Sequence, residues 1–371
     1  MLHFHSLWTR PMFETRQAQA SQDIVFWDFE ALTWLTSVLE IRRHSPIRLI
    51  TDTRGRQFVL NTALDSIYNG GISTALDDIP DTIDPQIFWA AGKIYAWREI
   101  DGPCISVDTD AVLWQPITPT APIVALHLEN RAWGWYASNR QAFAPFGFDD
   151  PSWDWDLHPF NHGVLYIQDP EARRVWTEKA IGFMNEFSAQ VRQLEQSGAE
   201  NPPHTRDAML FADQRLLVMC AQRLGLSMVP LTRLDETTGY LLRNPLYTHL
   251  WGSKLFYPYC AEARFAFCRH LVSYLLAHHP ESQTILERWQ LDQPHRVDAK
   301  LQWDQRELEC SDRGKQRISL LESVEGAVWI TDANLDVRRK ATPGSLVLPG
   351  ELLFAEPGAQ YRLCGAAVKP G

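Results

Sequence analysis

The stretch CISVDTDAVLW, residues 104–114, places two carboxylates, Asp108 and Asp110, directly after an apolar run. The run predicts a buried β-strand, and the acidic pair then lies in the turn that follows it. Three interpretations fit this pattern by itself: a solvated surface turn, a site for a hard divalent cation, and a phosphatase in which Asp108 is a covalent nucleophile. Residues elsewhere in the chain have to decide among them.

Segments with strand and helix patterns alternate around this stretch. Apolar runs predict further strands at residues 1–8, 47–55, 122–130 and 163–169. Apolar residues at helical spacing predict helices at 23–45, 85–100, 169–198, 205–225 and 262–280. We therefore expect an α/β fold in which helices flank a mixed sheet.

Polar residues follow two of the predicted strands where each strand ends. Thr51 and Asp52 close one strand, with Gly55 as a loop signal after them, and Asp108 and Asp110 close another. In α/β sheets ligands bind beyond the carboxyl ends of the strands. The sequence therefore predicts that a binding site forms at this edge of the sheet.

The composition excludes some classes of protein. The chain has 371 residues and a formal net charge of −10, which argues against a nucleic-acid binder that works through a broad basic surface. Its six cysteines form no C-x-x-C pair, which is typical of free thiols in a reducing compartment. Without a signal-peptide pattern or a long apolar run, the sequence predicts a soluble, cytoplasmic protein with no transmembrane segment.

The texture of the sequence changes near its C-terminal end. Short β-like runs separated by Gly, Pro, Asp and Asn predict a small all-β module at residues 297–371, after a larger domain at 1–290. The module contains no cluster of titratable residues, so we expect an accessory role rather than a catalytic one. Exposed strand edges there make it a candidate surface for a homodimer.

The metal interpretation of the acidic pair has a clear chemical basis. Two aspartates one residue apart direct their oxygens to one side of a turn, where a divalent cation can link them to a diphosphate. The phosphatase interpretation resembles the haloacid-dehalogenase type, with Asp108 as nucleophile and Asp110 as acid/base. It requires a second acidic pair after a later apolar strand, and the acidic FGFDDPSWDWDL at 146–157 has loop composition instead.

Further stretches favour the metal–diphosphate interpretation because they resemble motifs of nucleotide-sugar glycosyltransferases of the GT-A fold. The resemblance is to the retaining group that contains glycogenin and the lipopolysaccharide galactosyltransferases. The matching stretches, in chain order, are KIYAW at 93–97, DTD at 108–110, FNHGV at 160–164, DQ at 213–214 and HLWGSK at 249–254. They cover about residues 1–256 and imply a Rossmann-like GT-A domain.

The resemblance implies a role for each matching residue. Asp108, Asp110 and His249 would hold Mn²⁺ or Mg²⁺. The residues that would contact the nucleotide or its diphosphate are Thr51, Asp52, Lys93, Gly252 and Lys254. Asn161, Asp213 and Gln214 would lie beside the transferred sugar as catalytic residues. Two positions depart from the family pattern: Arg215 follows Asp213–Gln214, and Lys254 comes five residues after His249 rather than six.

The implied reaction is transfer of a sugar from a nucleoside-diphosphate sugar, with uridine the expected carrier, to an acceptor with retention of anomeric configuration. The sequence does not identify the acceptor. A non-catalytic protein that binds nucleotide sugars is a third interpretation of the same motifs, beside the phosphatase.

Overall fold

The computed structural model of the chain describes residues 1–15, 26–132, 134–198, 205–232, 246–250, 257, 261–291, 319–331, 338–347, 352–355 and 359–363. The chain divides into two compact units. The first consists of Met1–Val25, Glu40–Thr109 and Pro116–Arg233, and the second of Phe26–Leu39, Asp110–Gln115 and Leu234–Gly371.

A seven-stranded sheet forms the centre of the first unit. Its strands are β1 (Leu2–Leu7), β2 (Ile47–Thr51), β3 (Ile72–Ser73), β4 (Cys104–Val107), β6 (Ile123–Leu128), β7 (Phe160–Ile167) and β8 (Met228–Pro230). The spatial order is β3-β2-β1-β4-β7-β6-β8, and only β7 runs antiparallel to its neighbours. The prediction of a mixed α/β sheet is confirmed.

Helices flank this sheet and bury its apolar side chains. Those of the first unit are α1 (Arg10–Thr15), α3 (Thr53–Asn61), α4 (Ala91–Arg98), α5 (Gly134–Ala137), α6 (Asn139–Phe143), α7 (Pro170–Gln196), α8 (Thr205–Leu210) and α9 (Leu216–Arg223). The core contains many aromatic rings; Phe143, Phe183 and Phe211 pack with centroids 4.9–5.3 Å apart. The many aromatic residues of the sequence therefore serve largely to fill this core.

Four strand ends meet at one edge of the sheet. Since β1, β2, β4 and β6 run in the same direction and β7 runs against β4 and β6, the carboxyl ends of the former lie beside the amino end of β7. This edge carries Asp52, Asp108, Glu129 and Asn161, each at or next to the end of its strand. Polar side chains are thus concentrated at the edge where ligands bind in such folds.

Two predicted boundaries were wrong, and both errors have a local cause. Gly55 lies inside α3 rather than in a loop, because Asp52 caps the helix by accepting the Gly55 N–H. The position requires glycine because a Cβ there would lie 2.0 Å from Thr51 Oγ1. The helix predicted at 85–100 begins only at Ala91. The carboxylate of Asp84 accepts the backbone N–H of Gln86 at 2.8 Å and holds the chain in a turn before the helix.

The segment after α8 departs from regular helix geometry. Phe211–Arg215 form a turn of π-helix between α8 and α9, where the sequence predicted one continuous helix. π-turns of this kind occur frequently at functional sites. Here the turn carries Asp213, Gln214 and Arg215, all of them buried.

The second unit contains helices and several small sheets. Its helices include α2 (Asp28–Arg42, which also reaches the first unit), α10 (Ala261–His278) and α11 (Gln283–Arg288). Strands β5 (Ala111–Leu113) and β9 (Tyr247–His249) pair antiparallel. The C-terminal strands form two three-stranded sheets from β10 (Ser319–Glu325), β11 (Val328–Thr331), β12 (Arg338–Lys340), β13 (Leu346–Val347), β14 (Leu352–Ala355) and β15 (Gln360–Leu363).

These C-terminal strands confirm the predicted β character of the C-terminal part of the chain. Among the residues that the structure describes, no helix has the length and apolar composition needed to cross a bilayer.

Candidate active site

The acidic pair is fixed by backbone contacts on either side of Thr109. The N–H of Asp108 donates to Gly163 O on β7 at 2.8 Å, so Asp108 follows β4 at the sheet edge. The carbonyl of Asp110 accepts the N–H of Leu250 at 2.9 Å, and β5 places Ala111 opposite His249. The strand pairing that begins after Asp110 therefore brings His249 to the motif from a distant part of the sequence.

Asp108, Asp110 and His249 form a group with the chemistry of a cation site. Each offers one ligand atom, and these atoms lie within 4.8 Å of one another. A divalent cation bound at about 2.0–2.6 Å from each ligand has its ligands at such separations. Two carboxylates and an imidazole are ligands of divalent cations, so the donor set is compatible with a metal site; it does not select one metal.

The side chain of His249 is largely buried, and its Nε2 lies 3.5 Å from Asp110 Oδ1. Within the described part of the chain its Nδ1 atom has no hydrogen-bond partner. A buried imidazole nitrogen without a partner costs free energy, which coordination of a cation through Nδ1 would offset.

Lys93 lies beside the acidic pair and is almost completely buried. Its Nζ atom is 2.7 Å from Asp108 Oδ1, 3.7 Å from Asp213 Oδ2, and donates a hydrogen bond to the carbonyl of His162 at 3.1 Å. Lys93 on α4 and Asp213 on the π-turn thus carry opposite charges 3.7 Å apart. A buried ammonium requires such partners because its desolvation alone is strongly unfavourable.

Asp213 is more deeply buried than Asp108 or Asp110. Burial by itself favours the protonated form, but the Lys93 ammonium and the hydrogen bond from His162 outweigh it and hold the pKa of Asp213 below its usual range. His162 Nδ1 lies 3.1 Å from Asp213 Oδ1, and the ring packs edge-on against Trp176. Asp213 is therefore an anion in a nearly water-free setting, where its field acts strongly on a nearby positive centre.

Asn161 and Gln214 belong to a hydrogen-bond network at the same sheet edge. Asn161 Nδ2 donates to Glu129 Oε1 at 2.8 Å, and its Oδ1 accepts the N–H of Gly163 at 2.9 Å. The hydroxyl of Tyr136 contacts both Glu129 Oε2 and Gln214 Oε1. These contacts fix the orientation of both amide side chains that were predicted to face the sugar.

Burial also fixes the protonation state of this tyrosine. Desolvation and the neighbouring Glu129 carboxylate raise the pKa of Tyr136 well above its usual value, so the phenol is neutral at physiological pH. Sequence reasoning missed Glu129 and Tyr136. The signal for Glu129 was its place directly after the strand at 123–128; no spacing pattern marks Tyr136.

Thr51 and Asp52 lie at the carboxyl end of β2, which β1 separates from β4, and most of their polar atoms are engaged. Thr51 Oγ1 donates to Leu7 O at 2.6 Å. Asp52 caps α3 by accepting the N–H of Gly55 at 2.8 Å, and it accepts both the N–H and the hydroxyl of Thr9. These contacts stabilise the start of α3; the predicted contacts to a nucleotide stay predictions. Gly252 and Lys254 lie outside the described residues.

The π-turn determines where Arg215 points. Its Nη1 donates to Trp155 O at 2.8 Å, and its guanidinium carbon lies 5.5 Å from the ring centroid of Tyr136. Burial lowers the pKa of Arg215 to about 10, so it stays cationic at neutral pH. Arg215, which departs from the family pattern, therefore stabilises the loop that contains Trp155.

Several glycosyltransferase structures resemble the chain at low similarity. GlyE of Streptococcus pneumoniae is 12% identical, with 64% of this chain and 45% of GlyE aligned and a TM-score of 0.26. Mouse xyloside xylosyltransferase 1 is 12% identical over 64% of this chain and 85% of its own, with a TM-score of 0.30. An active-site mutant of LgtC is 12% identical, with 67% of this chain and 86% of LgtC aligned and a TM-score of 0.32.

The match to GlyE spans less than half of that protein's length. No curated protein matches the chain. A family model does match, over residues 1–283, which include every predicted site residue. The chain belongs to the family described as "Family of unknown function (DUF6734)".

Proposed function

We propose that the protein is a metal-dependent glycosyltransferase that transfers a sugar from a nucleoside-diphosphate sugar, with uridine as the expected carrier, to an acceptor with retention. One observation carries the proposal. The ligand atoms of Asp108, Asp110 and His249 lie within 4.8 Å of one another, and the same Asp108 contacts the buried Lys93. Such a cluster of hard ligands beside a cation suits a diphosphate.

The reaction breaks the bond between the anomeric carbon and a phosphate oxygen and forms a bond to an acceptor oxygen, whose proton is released. A divalent cation bound by Asp108, Asp110 and His249 would neutralise the charge that develops on the departing diphosphate. Lys93, with its Nζ atom 2.7 Å from Asp108 Oδ1, holds this carboxylate in position for that purpose. Gly252 and Lys254 are proposed, from the resemblance alone, to contact the diphosphate.

The remaining polar residues would act on the sugar. Asp213 is ionised and buried, so it can stabilise positive charge that builds up on the anomeric carbon during transfer. Asn161 and Gln214, held by Glu129 and Tyr136, would position the sugar hydroxyls. Fixing these groups before the reaction lowers the entropic part of the barrier.

We assign this activity to residues 1–290 and an accessory role to 297–371. The basis is that every proposed site residue precedes residue 290. A chain that ends at residue 290 is expected to keep metal-dependent donor hydrolysis. If this shorter chain is folded by circular dichroism but has lost hydrolysis, the assignment is wrong.

The direct test of the function uses the full chain with Mn²⁺ and a panel of nucleotide sugars. At least one donor should bind by calorimetry and release its nucleoside diphosphate slowly in water. His249→Ala should weaken Mn²⁺ binding less than the Asp108→Asn/Asp110→Asn double change, because water can replace one ligand. Folded protein that binds no donor contradicts the proposal.

Two other outcomes would identify the alternative functions. Beryllium fluoride bound at Asp108, with turnover of simple phosphate esters, would indicate a phosphatase with a covalent aspartyl intermediate. Donor binding without hydrolysis or transfer, across many acceptors, would indicate a protein that only binds nucleotide sugars.

A further inference from the structure

A large cleft lies in the first unit, on the loops between β6 and β7 and the helices beside them. Its volume is about 1240 Å³. Drug-sized ligands fill pockets of about 300–1,000 Å³, so this cleft has room for a longer molecule. We propose that it binds the carbohydrate acceptor, an uncharged or amino-sugar oligosaccharide, and this identification rests on the function proposed above.

Aromatic side chains form a fixed part of the cleft wall. The half-buried ring of Trp155 stacks on Phe211 with centroids 5.5 Å apart and an angle of 10° between planes, and its Nε1 donates to Phe148 O at 3.2 Å. Trp153 is buried, packs against Phe148, and has the Arg223 guanidinium 4.2 Å from its ring, so it supports the wall from behind. The rigid, partly exposed ring of Trp155 has a negative face that attracts the weakly positive C–H groups of a sugar, and it loses little entropy on binding.

Polar groups that suit sugar hydroxyls surround these rings. The exposed amides of Gln141 on α6 and Gln222 on α9 both line the cleft. A primary amide donates and accepts hydrogen bonds, as does a sugar hydroxyl. Aliphatic side chains contribute little to the lining, so a lipid chain would find few apolar contacts there.

The charged side chains that line the cleft indicate which ligand charge it favours. Four aspartates and two arginines line the cleft: Asp149, Asp150, Asp154, Asp156, Arg140 and Arg223. This excess of negative charge repels phosphorylated or sulfated sugars and tolerates, or attracts, a protonated amino sugar. Two of the aspartates have ion-pair partners, since Arg223 lies 3.6 Å from Asp150 Oδ2 and Arg131 contacts Asp156. Asp149 and Asp154 therefore contribute most of the excess negative charge.

The cleft and the proposed catalytic residues share one structural element. The π-turn that carries Asp213 and Gln214 also carries Phe211, on which Trp155 stacks, and Arg215, which donates to the Trp155 carbonyl. A ligand that contacts Trp155 therefore contacts a side chain that is held by the same π-turn as Gln214. This connection is the reason to identify the occupant as the acceptor rather than as an unrelated glycan.

The test measures binding of the chitosan trimer, chitotriose, cellotetraose and a heparin-derived tetrasaccharide to the full chain by calorimetry. At least one of the first three should bind saturably, and the sulfated sugar at least tenfold more weakly. Gln141→Ala and Gln222→Ala, which each remove one amide from the cleft lining, should weaken binding about threefold to tenfold, as expected for the loss of a hydrogen bond. Gln193→Ala, at an exposed glutamine of α7 outside the cleft lining, is the matched control.

The inference is overturned if none of these uncharged or cationic sugars binds, if the sulfated sugar binds best, or if both cleft variants bind as wild type does. Its failure can be told apart from failure of the proposed function. Donor hydrolysis without acceptor should be the same in wild type, Gln141→Ala and Gln222→Ala. Absent donor hydrolysis in wild type contradicts the function alone, whereas normal hydrolysis with unchanged oligosaccharide binding in the variants contradicts the cleft assignment alone.

Discussion

Replacing Lys93 with methionine isolates the electrostatic contribution of the site to stability. Methionine keeps most of the length and apolar volume of lysine, so packing changes little. The ammonium that lies 2.7 Å from Asp108 and 3.7 Å from Asp213 is lost. Asp213, which is nearly inaccessible to solvent, then keeps its negative charge with His162 as a remaining partner.

The size of the effect follows from these distances. Two unit charges 3.7 Å apart attract by about 4.5 kcal/mol at an effective dielectric constant of about 20. The contact with Asp108 adds less, because that carboxylate is 28% exposed and solvent screens it. Removing one partner of a buried ion pair costs about 3–5 kcal/mol of stability. Because the lysine no longer pays for its own desolvation, we expect Lys93→Met to lower the free energy of unfolding by about 3 kcal/mol, the lower end of this range.

Urea unfolding at pH 7, followed by circular dichroism, measures this loss. The double variant Lys93→Met/Asp213→Asn removes the stranded charge and should recover at least about 1 kcal/mol of it. Lys179→Met, at an exposed lysine of α7, is the matched control and should change stability by less than about 0.5 kcal/mol.

The pH dependence supplies an independent check with a definite sign. The folded-state pKa of Asp213 is depressed, so its stabilising contribution is present above the unfolded pKa of about 3.9 and is lost as pH falls through the folded pKa. Without Lys93, burial raises the pKa of Asp213 and acid then neutralises a destabilising charge. The stability difference between wild type and Lys93→Met should therefore narrow from pH 7 to pH 4.

Two results would refute this reasoning. One is a Lys93→Met variant that unfolds at the same urea concentration as wild type at pH 7. The other is a double variant no more stable than Lys93→Met, which would mean that Asp213 is not the group left without its partner.

Three further predictions follow from the same region. Asp108→Asn/Asp110→Asn should lower Mn²⁺ affinity at least tenfold in a calorimetric titration while circular dichroism stays unchanged, because both carboxylates lie outside the packed core. Tyr136→Phe should lower the free energy of unfolding in urea by about 1–3 kcal/mol, since Glu129 and Gln214 share its one hydroxyl proton and a buried acceptor is left unsatisfied without it. Gly55→Ala should lower the thermal midpoint through a destabilisation of about 1–3 kcal/mol, because its Cβ would lie 2.0 Å from Thr51 Oγ1.

Local patterns were sufficient to predict most of the fold. Asp169 followed by Pro170 predicted the start of α7, and the structure has Asp169 accepting the N–H of Ala172 at 2.7 Å. Alternation of strands and helices likewise predicted the mixed sheet. The π-turn could not be predicted, because the apolar residues of 205–223 are compatible with continuous helix and the departure depends on tertiary packing around Phe211.

The proximity of the candidate ligands was predictable where the residues form short motifs. Asp108 and Asp110 come from one such motif, and strand pairing brings His249 close to them; their role as metal ligands stays a prediction. Glu129 and Tyr136 belong to no motif. Their importance arises from contacts with residues far away in the sequence, such as Asn161, and only the fold reveals such contacts.

The π-turn at Phe211–Arg215 also limits how the chain can change in length. Helical residues are spaced by about 100° around the axis, so deletion of a single residue within this turn would rotate Asp213 or Gln214 relative to α7 and β7. Loops at the molecular surface can gain or lose residues at small cost. Along residues 205–223 the protein is therefore expected to accept substitutions at exposed positions but no insertion or deletion.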